Sequence, residues 1–141
     1  MNQCGSCTEC CKGWVTSTVN DEYNYPGSPC KHLSDCWGCA IYKARPKDPC
    51  KDFKCEFLQD KDFPFWMRPD NIKAIVMHKK IGDIHYYELV ECGEKLDSTA
   101  LEFFFQKYLS GQYTNIRYRI FNHPRNIGTQ EFIDALAEAN L

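Results

Sequence analysis

Two stretches in the C-terminal half of the chain predict a β-hairpin. Residues 71–80 (NIKAIVMHKK) and 83–92 (DIHYYELVEC) are rich in β-branched and aromatic residues. A short turn at Ile81, Gly82 and Asp83 separates them. Strand-forming runs on either side of a short glycine-containing turn are typical of two antiparallel strands.

Residues 115–121 (NIRYRIF) alternate apolar and basic side chains, which predicts a half-buried strand with a solvated arginine face. The apolar positions are Ile116, Tyr118 and Ile120, and the basic ones in and after the strand are Arg117, Arg119, His123 and Arg125. Such a basic strand could suit phosphate or single-stranded nucleic acid, but no recognised nucleic-acid-binding fold accompanies it. A nucleic-acid partner is therefore not expected.

Two segments have the period of amphipathic helices. In residues 97–111, Asp97 or Ser98 is the expected N-cap and Gly111 the expected stop. The apolar stripe of this helix is Leu101, Phe104, Phe105, Tyr108 and Leu109. In the C-terminal segment, Thr129 is the expected cap of a second helix. Its apolar stripe is Phe132, Ile133, Leu136 and Ala137.

The order β-β-α-β-α predicts an α+β fold with a small antiparallel sheet covered on one face by two helices. Residues 63–141 form this α+β region. Residues 1–62 show neither period over any long window, and we expect an irregular, cysteine-rich region that packs on the sheet as one compact unit. Because so irregular a segment buries little apolar surface, something other than a hydrophobic core must hold it together.

Composition excludes several classes of protein. The chain has 141 residues and a formal net charge of −2, which gives no overall attraction to nucleic acid or to anionic membranes. No apolar run approaches the ~20 residues that span a bilayer, and the first residues lack the basic and apolar stretches of a secretory signal. We therefore expect a cytoplasmic protein that does not contact membranes.

The cysteines suggest metal binding. Nine of the ten lie between Cys4 and Cys55, and Cys4, Cys7 and Cys10 form a C-x2-C-x2-C run that lets thiolates converge on one centre. The thiol of Cys11 is expected to point away from that of Cys10. Disulfides are disfavoured because no secretory signal is visible. With few histidines interleaved, all-sulfur ligation is favoured, in two sites or in one polynuclear site.

The same residues resemble a known family. CGSCTECC matches the CxxCxxCC signature of the YkgJ-like cysteine-cluster proteins, which are described as zinc- or iron-chelating, and PCKHLSDCWGCAIYKARPKDPCKDFKC continues the family's pattern. The resemblance covers residues 4–57. It implies a ligand set of Cys4, Cys7, Cys10, Cys11, Cys30, Cys39, Cys50 and Cys55. Cys36 is an extra thiol here, either a substitute ligand or a bystander.

The identity of the metal stays open between two alternatives. Flagellin lysine methylases with an iron–sulfur cluster belong to the resembled family, and we favour an iron–sulfur cluster with a redox or accessory role. The alternative is a zinc-stabilised interaction module without catalysis, because Cys4/Cys7 and Cys36/Cys39 could form two zinc knuckles. A protein partner is expected in either case. No catalytic residues can be assigned, and whether the protein is an enzyme is open.

Several other side chains are assigned to packing or to the surface. Five aromatic residues are expected to shield the metal and to join the two regions: Trp14, Phe53, Phe57, Phe65 and Trp66. His78 and His85 flank the hairpin turn and are expected to be surface polar groups. Cys92 is expected to be a small buried apolar residue and no ligand.

Overall fold

The computed structural model describes residues 4–34 and 38–141 and shows an α+β fold, which confirms the predicted class. Its main sheet has four strands in the order β5-β6-β7-β8. Their bounds are Ala74–Ile81 (β5), Ile84–Glu91 (β6), Ile116–Ile120 (β7) and His123–Ile127 (β8). The helices are Glu56–Gln59 (α1), Pro69–Ile72 (α2), Ser98–Leu109 (α3) and Gln130–Glu138 (α4).

The sheet differs from the predicted one in the direction of its central pair and in its strand number. β5 and β6 form the expected antiparallel hairpin, but β6 and β7 run parallel. The reason is the connection, because α3 lies between β6 and β7 in the chain and returns it to the same end of the sheet. β8, absent from the predicted order, pairs antiparallel with β7.

Helices cover both faces of the sheet instead of one. The ring of Tyr87 lies 6.1 Å from that of Phe104 in α3, and the ring of Tyr86 lies 5.2 Å from that of Phe132 in α4. Successive residues of a strand point to opposite faces. α3 and α4 therefore pack on opposite faces of the sheet. Each helix covers one of the two adjacent tyrosines of β6.

The main core lies between α3, the sheet and the chain that precedes β5. Phe104 is fully buried there, and its ring lies 6.0 Å from that of Phe63 and 5.6 Å from that of Tyr113. The predicted α3 stripe is only partly correct, since Leu109 is 76% exposed. The caps are as predicted: Asp97 accepts a hydrogen bond from the Thr99 N–H, and Thr129 accepts one from the Phe132 N–H.

The arginine face of β7 is not solvated, in contrast to the prediction. Arg117 is only 4% exposed, and its Nε lies 4.0 Å from Oε2 of the buried Glu88 in the neighbouring strand. Glu88 also accepts from Lys79 at 3.4 Å. An alternating pattern marks the two faces of a strand but does not say whether the polar face is covered, and here a carboxylate accompanies the arginine into the interior.

The region before α1 is built from short elements. Two-stranded ribbons are formed by Ser17–Val19 (β1) with Glu22–Asn24 (β2) and by Leu33–Ser34 (β3) with Gly38–Cys39 (β4). Single helical turns lie at Glu9–Lys12, Tyr42–Ala44 and Lys47–Lys51. The turn at Gly13 needs a residue without a side chain, because its φ is +87° and a Cβ would collide with the backbone of Tyr25.

β8 is an exposed edge strand. Its residues from His123 to Asn126 are exposed, and β7 is its one partner among the described strands. No helix in the described part of the chain is long and apolar enough to cross a membrane.

Candidate metal centre

Short backbone contacts bring the cysteine-bearing loops together. The N–H of Cys30 donates to the carbonyl of Cys11 at 2.9 Å, which joins the CxxCxxCC segment to the second cysteine stretch. Pairing of β3 with β4 then sets Cys39 opposite Leu33. Cys50 lies in the turn at Lys47–Lys51 and Cys55 immediately precedes α1. The Cys30–Cys11 bond thus joins two cysteines that lie 19 positions apart in the sequence.

The eight predicted ligands form one connected electrostatic network. Cys11 interacts with Cys4, Cys10 and Cys50. The other links are those of Cys50 with Cys30 and Cys39, of Cys10 with Cys4 and Cys7, and of Cys55 with Cys4. The nine cysteines that the structure describes are all free thiols. Cys11 and Cys50 link the two parts of this network, and the ligand set that the resemblance implied stays a prediction.

Contrary to the prediction, the thiols of Cys10 and Cys11 do not point away from each other. They share a hydrogen bond, which raises the pKa of Cys10 above its ordinary value and lowers that of Cys11. The prediction took adjacent side chains to diverge, but both residues lie in the 3-10 turn at Glu9–Lys12. Neighbours in such a turn are separated by about 120° around its axis, so their side chains can meet.

Arg45 is the main positive charge among the thiols. Its guanidinium lowers the pKa of Cys11, after the Cys10 hydrogen bond, and opposes the burial that raises the pKa values of Cys4 and Cys50. The guanidinium carbon lies 3.9 Å from the ring centroid of Tyr42. Its Nε is buried and has no hydrogen-bond partner among the described residues. An arginine held in this way fits a site that contains negative charge.

A second arginine, Arg68, interacts with Cys7. Burial raises the pKa of Cys7 to about 11, and the backbone N–H groups of Glu9 and Asp70 oppose this rise by donating to its sulfur. Arg68 is fixed below the loop by two bonds to the Asp70 carboxylate, at 2.6 and 2.7 Å, and donates to Ser6 Oγ at 3.3 Å. The segment before β5 thus supplies the Asp70 N–H donor and the Arg68–Asp70 ion pair to the first cysteine loop.

Glu9 connects that loop to Trp14, which packs on the main core, and to Cys92. Its residue is 8% exposed, and its carboxylate accepts from Lys12 Nζ at 2.9 Å and from Trp14 Nε1 at 3.0 Å. Cys92 also lies there: burial, followed by Glu9 and Cys7, raises the pKa of its thiol. Gly93 allows the approach, because a Cβ at this position would lie 3.0 Å from the Trp14 ring. Cys92 is buried as predicted, but it borders the thiol network.

The predicted aromatic shield is only partly present. Phe57 is buried in the main core, and Trp14 and Phe53 are half-buried against it. Phe65 and Trp66 are instead exposed, at 67% and 40%. These two rings lie at the surface next to Arg68 and to α3, with Trp66 6.0 Å from Phe103.

The donor set fits a thiophilic metal, although its members are not arranged as a finished site. Within residues 4–34 and 38–141, no group of three or more histidine, cysteine or acidic side chains has the arrangement of a metal site. Cys36, the possible substitute ligand, lies outside the described residues. Eight clustered free thiols, two arginines and two N–H groups directed at Cys7 are nevertheless the groups that hold and neutralise metal thiolates.

Sequence reasoning did not identify the groups that surround the thiols. Arg45, Arg68 and Glu9 were not singled out, since an arginine or glutamate beside a cysteine motif is ordinary on a solvated loop. The charge balance of the motif is the available signal: eight thiols need nearby cations and N–H donors if they are to lose their protons together. Arg45 immediately precedes Pro46 in the stretch that carries the family resemblance.

Comparison with models of protein families, with characterised proteins and with solved structures finds no match for this chain. The resemblance to the YkgJ-like proteins therefore stays a prediction from the cysteine motif.

Proposed function

We propose that this protein binds metal through its clustered cysteines, as an iron–sulfur protein with a redox or accessory role. The observation that carries the proposal is the environment of Arg45. Its guanidinium interacts with the thiols of Cys4, Cys11, Cys39 and Cys50. Its buried Nε–H has no partner among the described residues, and its charge opposes the burial that raises the pKa values of Cys4 and Cys50, which favours the deprotonated thiols that a metal needs.

The ligands would be the eight thiols of the network, and the rest of the chain would set their environment. An iron–sulfur cluster held there would accept and donate single electrons. Arg45 and Arg68 would offset the negative charge of the thiolates, and the N–H groups directed at Cys7 would stabilise its deprotonated form. The reducing cytoplasm, in which thiols stay free, is the compartment that suits such a site.

A zinc-stabilised interaction module is the second candidate. It is favoured by the small core around β1 to β4. Among the described residues of this region, Val19 is the one buried apolar side chain. A region of this kind gains its stability from the bound ion, and structural zinc contributes folding free energy directly. In this case the thiols would have no chemistry beyond holding the loops together.

Purification under anaerobic conditions distinguishes the two candidates. We expect a brown protein with a sulfur-to-iron charge-transfer band and with iron and acid-labile sulfide in stoichiometric amounts. A colourless protein with stoichiometric zinc would exclude the cluster and leave the zinc module. A protein that binds neither metal would exclude both.

Single substitutions test the ligand set. Cys11→Ala removes one of the two thiols that link the parts of the network and is expected to lower the metal content and the protection of residues 4–55 from hydrogen exchange. Cys92→Ala is the matched control, because it removes a buried thiol outside the predicted set, and it should retain its metal. If Cys11→Ala keeps full metal content, the assignment of ligands is wrong.

A further inference from the structure

A second site lies away from the centre of the thiol network. An open cleft of about 640 Å³ runs between β5 and the chain that includes α1 and the loop after it. Its lining includes Glu56, Leu58, Gln59, Asp60, Asp62 and His78. The volume is within the roughly 300–1,000 Å³ of small-molecule sites. We refer to these residues as the acidic cleft.

Glu56 is the unusual member of the acidic cleft. Its residue is 8% exposed, yet its carboxylate has no hydrogen bond or ion pair with any side chain or backbone group that the structure describes. The nearby Asp60 adds negative charge beside it, with its own Oδ1 accepting from the Asp62 N–H at 2.9 Å. This carboxylate lines the open cleft without a partner among the described residues, and so it indicates a position for a cationic ligand.

The chain does not neutralise the cleft itself. Lys61 borders it, but the ion pairs of residues 4–34 and 38–141 do not include this lysine. Three carboxylates therefore face one unpaired ammonium group, and the lining stays net negative. The remaining wall is apolar or aromatic. Leu58 lies on one side, and His78 on the other, with its ring stacked 5.1 Å from that of His85 at an interplanar angle of 11°.

We propose that the acidic cleft binds a primary ammonium group carried on an aliphatic chain, with the Glu56 carboxylate as its main partner. The methylene groups of such a chain would lie along Leu58 and His78, as the stem of a lysine lies along apolar surface when its head is paired. Divalent metal fits the cleft less well, because Oδ1 of Asp60 already accepts from the Asp62 N–H. The ammonium group can belong to a free diamine or to the lysine side chain of a protein.

Calorimetric titration of the full chain as purified tests this proposal. The probes are 1,5-diaminopentane, Nα-acetyl-lysine amide and, as the neutral control, Nα-acetyl-norleucine amide. We expect saturable binding of the first two and none of the third. Tighter binding of the lysine amide identifies a protein side chain as the ligand, and tighter binding of the diamine identifies a free amine. Failure of both amines to bind would overturn the proposal.

Variants assign the binding to the cleft. Glu56→Gln should weaken amine binding at least tenfold, which corresponds to about 1.4 kcal/mol. Glu138→Gln, in the exposed last turn of α4, is the matched control and should bind like the unmodified protein. Equal binding by these two variants would contradict the proposal, as would Zn²⁺ or Mg²⁺ binding that is lost in Glu56→Gln while the amines do not bind.

Two exposed residues provide variants that do not disturb the interior. Asp62→Asn should weaken amine binding, and Lys61→Met should strengthen it, because the first removes an attractive charge and the second a repulsive one. If neither variant changes the affinity for the amines, the amines bind outside the acidic cleft. Lys61 and Asp62 are neither thiols nor sequence neighbours of one, so the metal content of these two variants should be unchanged, and loss of amine binding is distinguishable from loss of the proposed metal centre.

Discussion

Replacing Glu9 with alanine should loosen the first cysteine loop from the sheet region. The substitution removes the acceptor of the Trp14 N–H, now at 3.0 Å, and leaves that donor without a partner in a half-buried position. A hydrogen bond to a charged acceptor contributes about 1.5–3 kcal/mol. The pair with Lys12 adds at most about 1 kcal/mol, because the lysine side chain is 42% exposed.

The expected loss is therefore about 2–4 kcal/mol in the free energy that holds the loop in place. Because 1.4 kcal/mol corresponds to a factor of ten, the loop should open about 30- to 800-fold more often. In a metal-loaded protein, release of the metal to an excess of chelator should accelerate by a comparable factor. Urea unfolding of the same samples measures the equilibrium loss, and the rate of chelator absorbance change measures the opening.

Two further variants separate the contributions. Glu9→Gln retains an oxygen that can accept from Trp14 but loses the charge next to Lys12, so it should cost about 1 kcal/mol. Glu22→Ala breaks an exposed ion pair with Lys31, at 2.7 Å, and should cost less than about 0.5 kcal/mol. If Glu9→Ala is no less stable than Glu22→Ala, the buried carboxylate does not hold the loop and the reasoning is refuted.

Three other perturbations follow from the packing and the charges. Phe104→Ala should lose about 3–5 kcal/mol of unfolding free energy because the ring is fully buried. Its control, Leu109→Ala on the same helix, should lose less than about 0.5 kcal/mol. Similar urea midpoints for the two variants would mean that α3 does not pack as described. In metal-free protein, Cys11 should be alkylated at lower pH than Cys10, because their hydrogen bond lowers the pKa of the first and raises that of the second; mass spectrometry of pH-dependent labelling would show the reverse order if the bond were absent. Arg45→Met should weaken metal binding about 10- to 100-fold in chelator competition, with the weakening largest at low pH, where protons compete for thiols that have lost the arginine. The exposed Arg125→Met is its control, and equal affinities would remove Arg45 from the site.

Local signals account for the elements that the sequence predicted correctly. Asp97 and Thr129 cap α3 and α4 because short polar side chains can accept from the first free N–H groups of a helix, which depends on neighbouring residues alone. β8 was missed because its sequence, HPRNI, contains a proline and has no alternation. An edge strand does not need an alternating pattern and tolerates a proline. Its backbone groups bond to one neighbouring strand on one side and to water on the other.

The remaining differences come from contacts between distant parts of the chain. The burial of Arg117 depends on Glu88, which lies 29 positions earlier, and no local pattern reports that pairing. The cysteine motif, through its family resemblance, predicts which thiols form the ligand set, and this set stays a prediction. It could not predict that Arg45 faces four of them, since this position depends on how the loops around Cys30 and Cys39 close.

The exposed β8 edge has a consequence for how the protein behaves at high concentration. An edge strand carries unpaired N–H and C=O groups that another chain can use to extend the sheet, which is a common route to aggregation. Pro124 has no N–H to offer, and Arg125 would lose water if a second strand covered it. The residues that hid β8 from its sequence pattern thus make this edge a poor template for a neighbouring molecule.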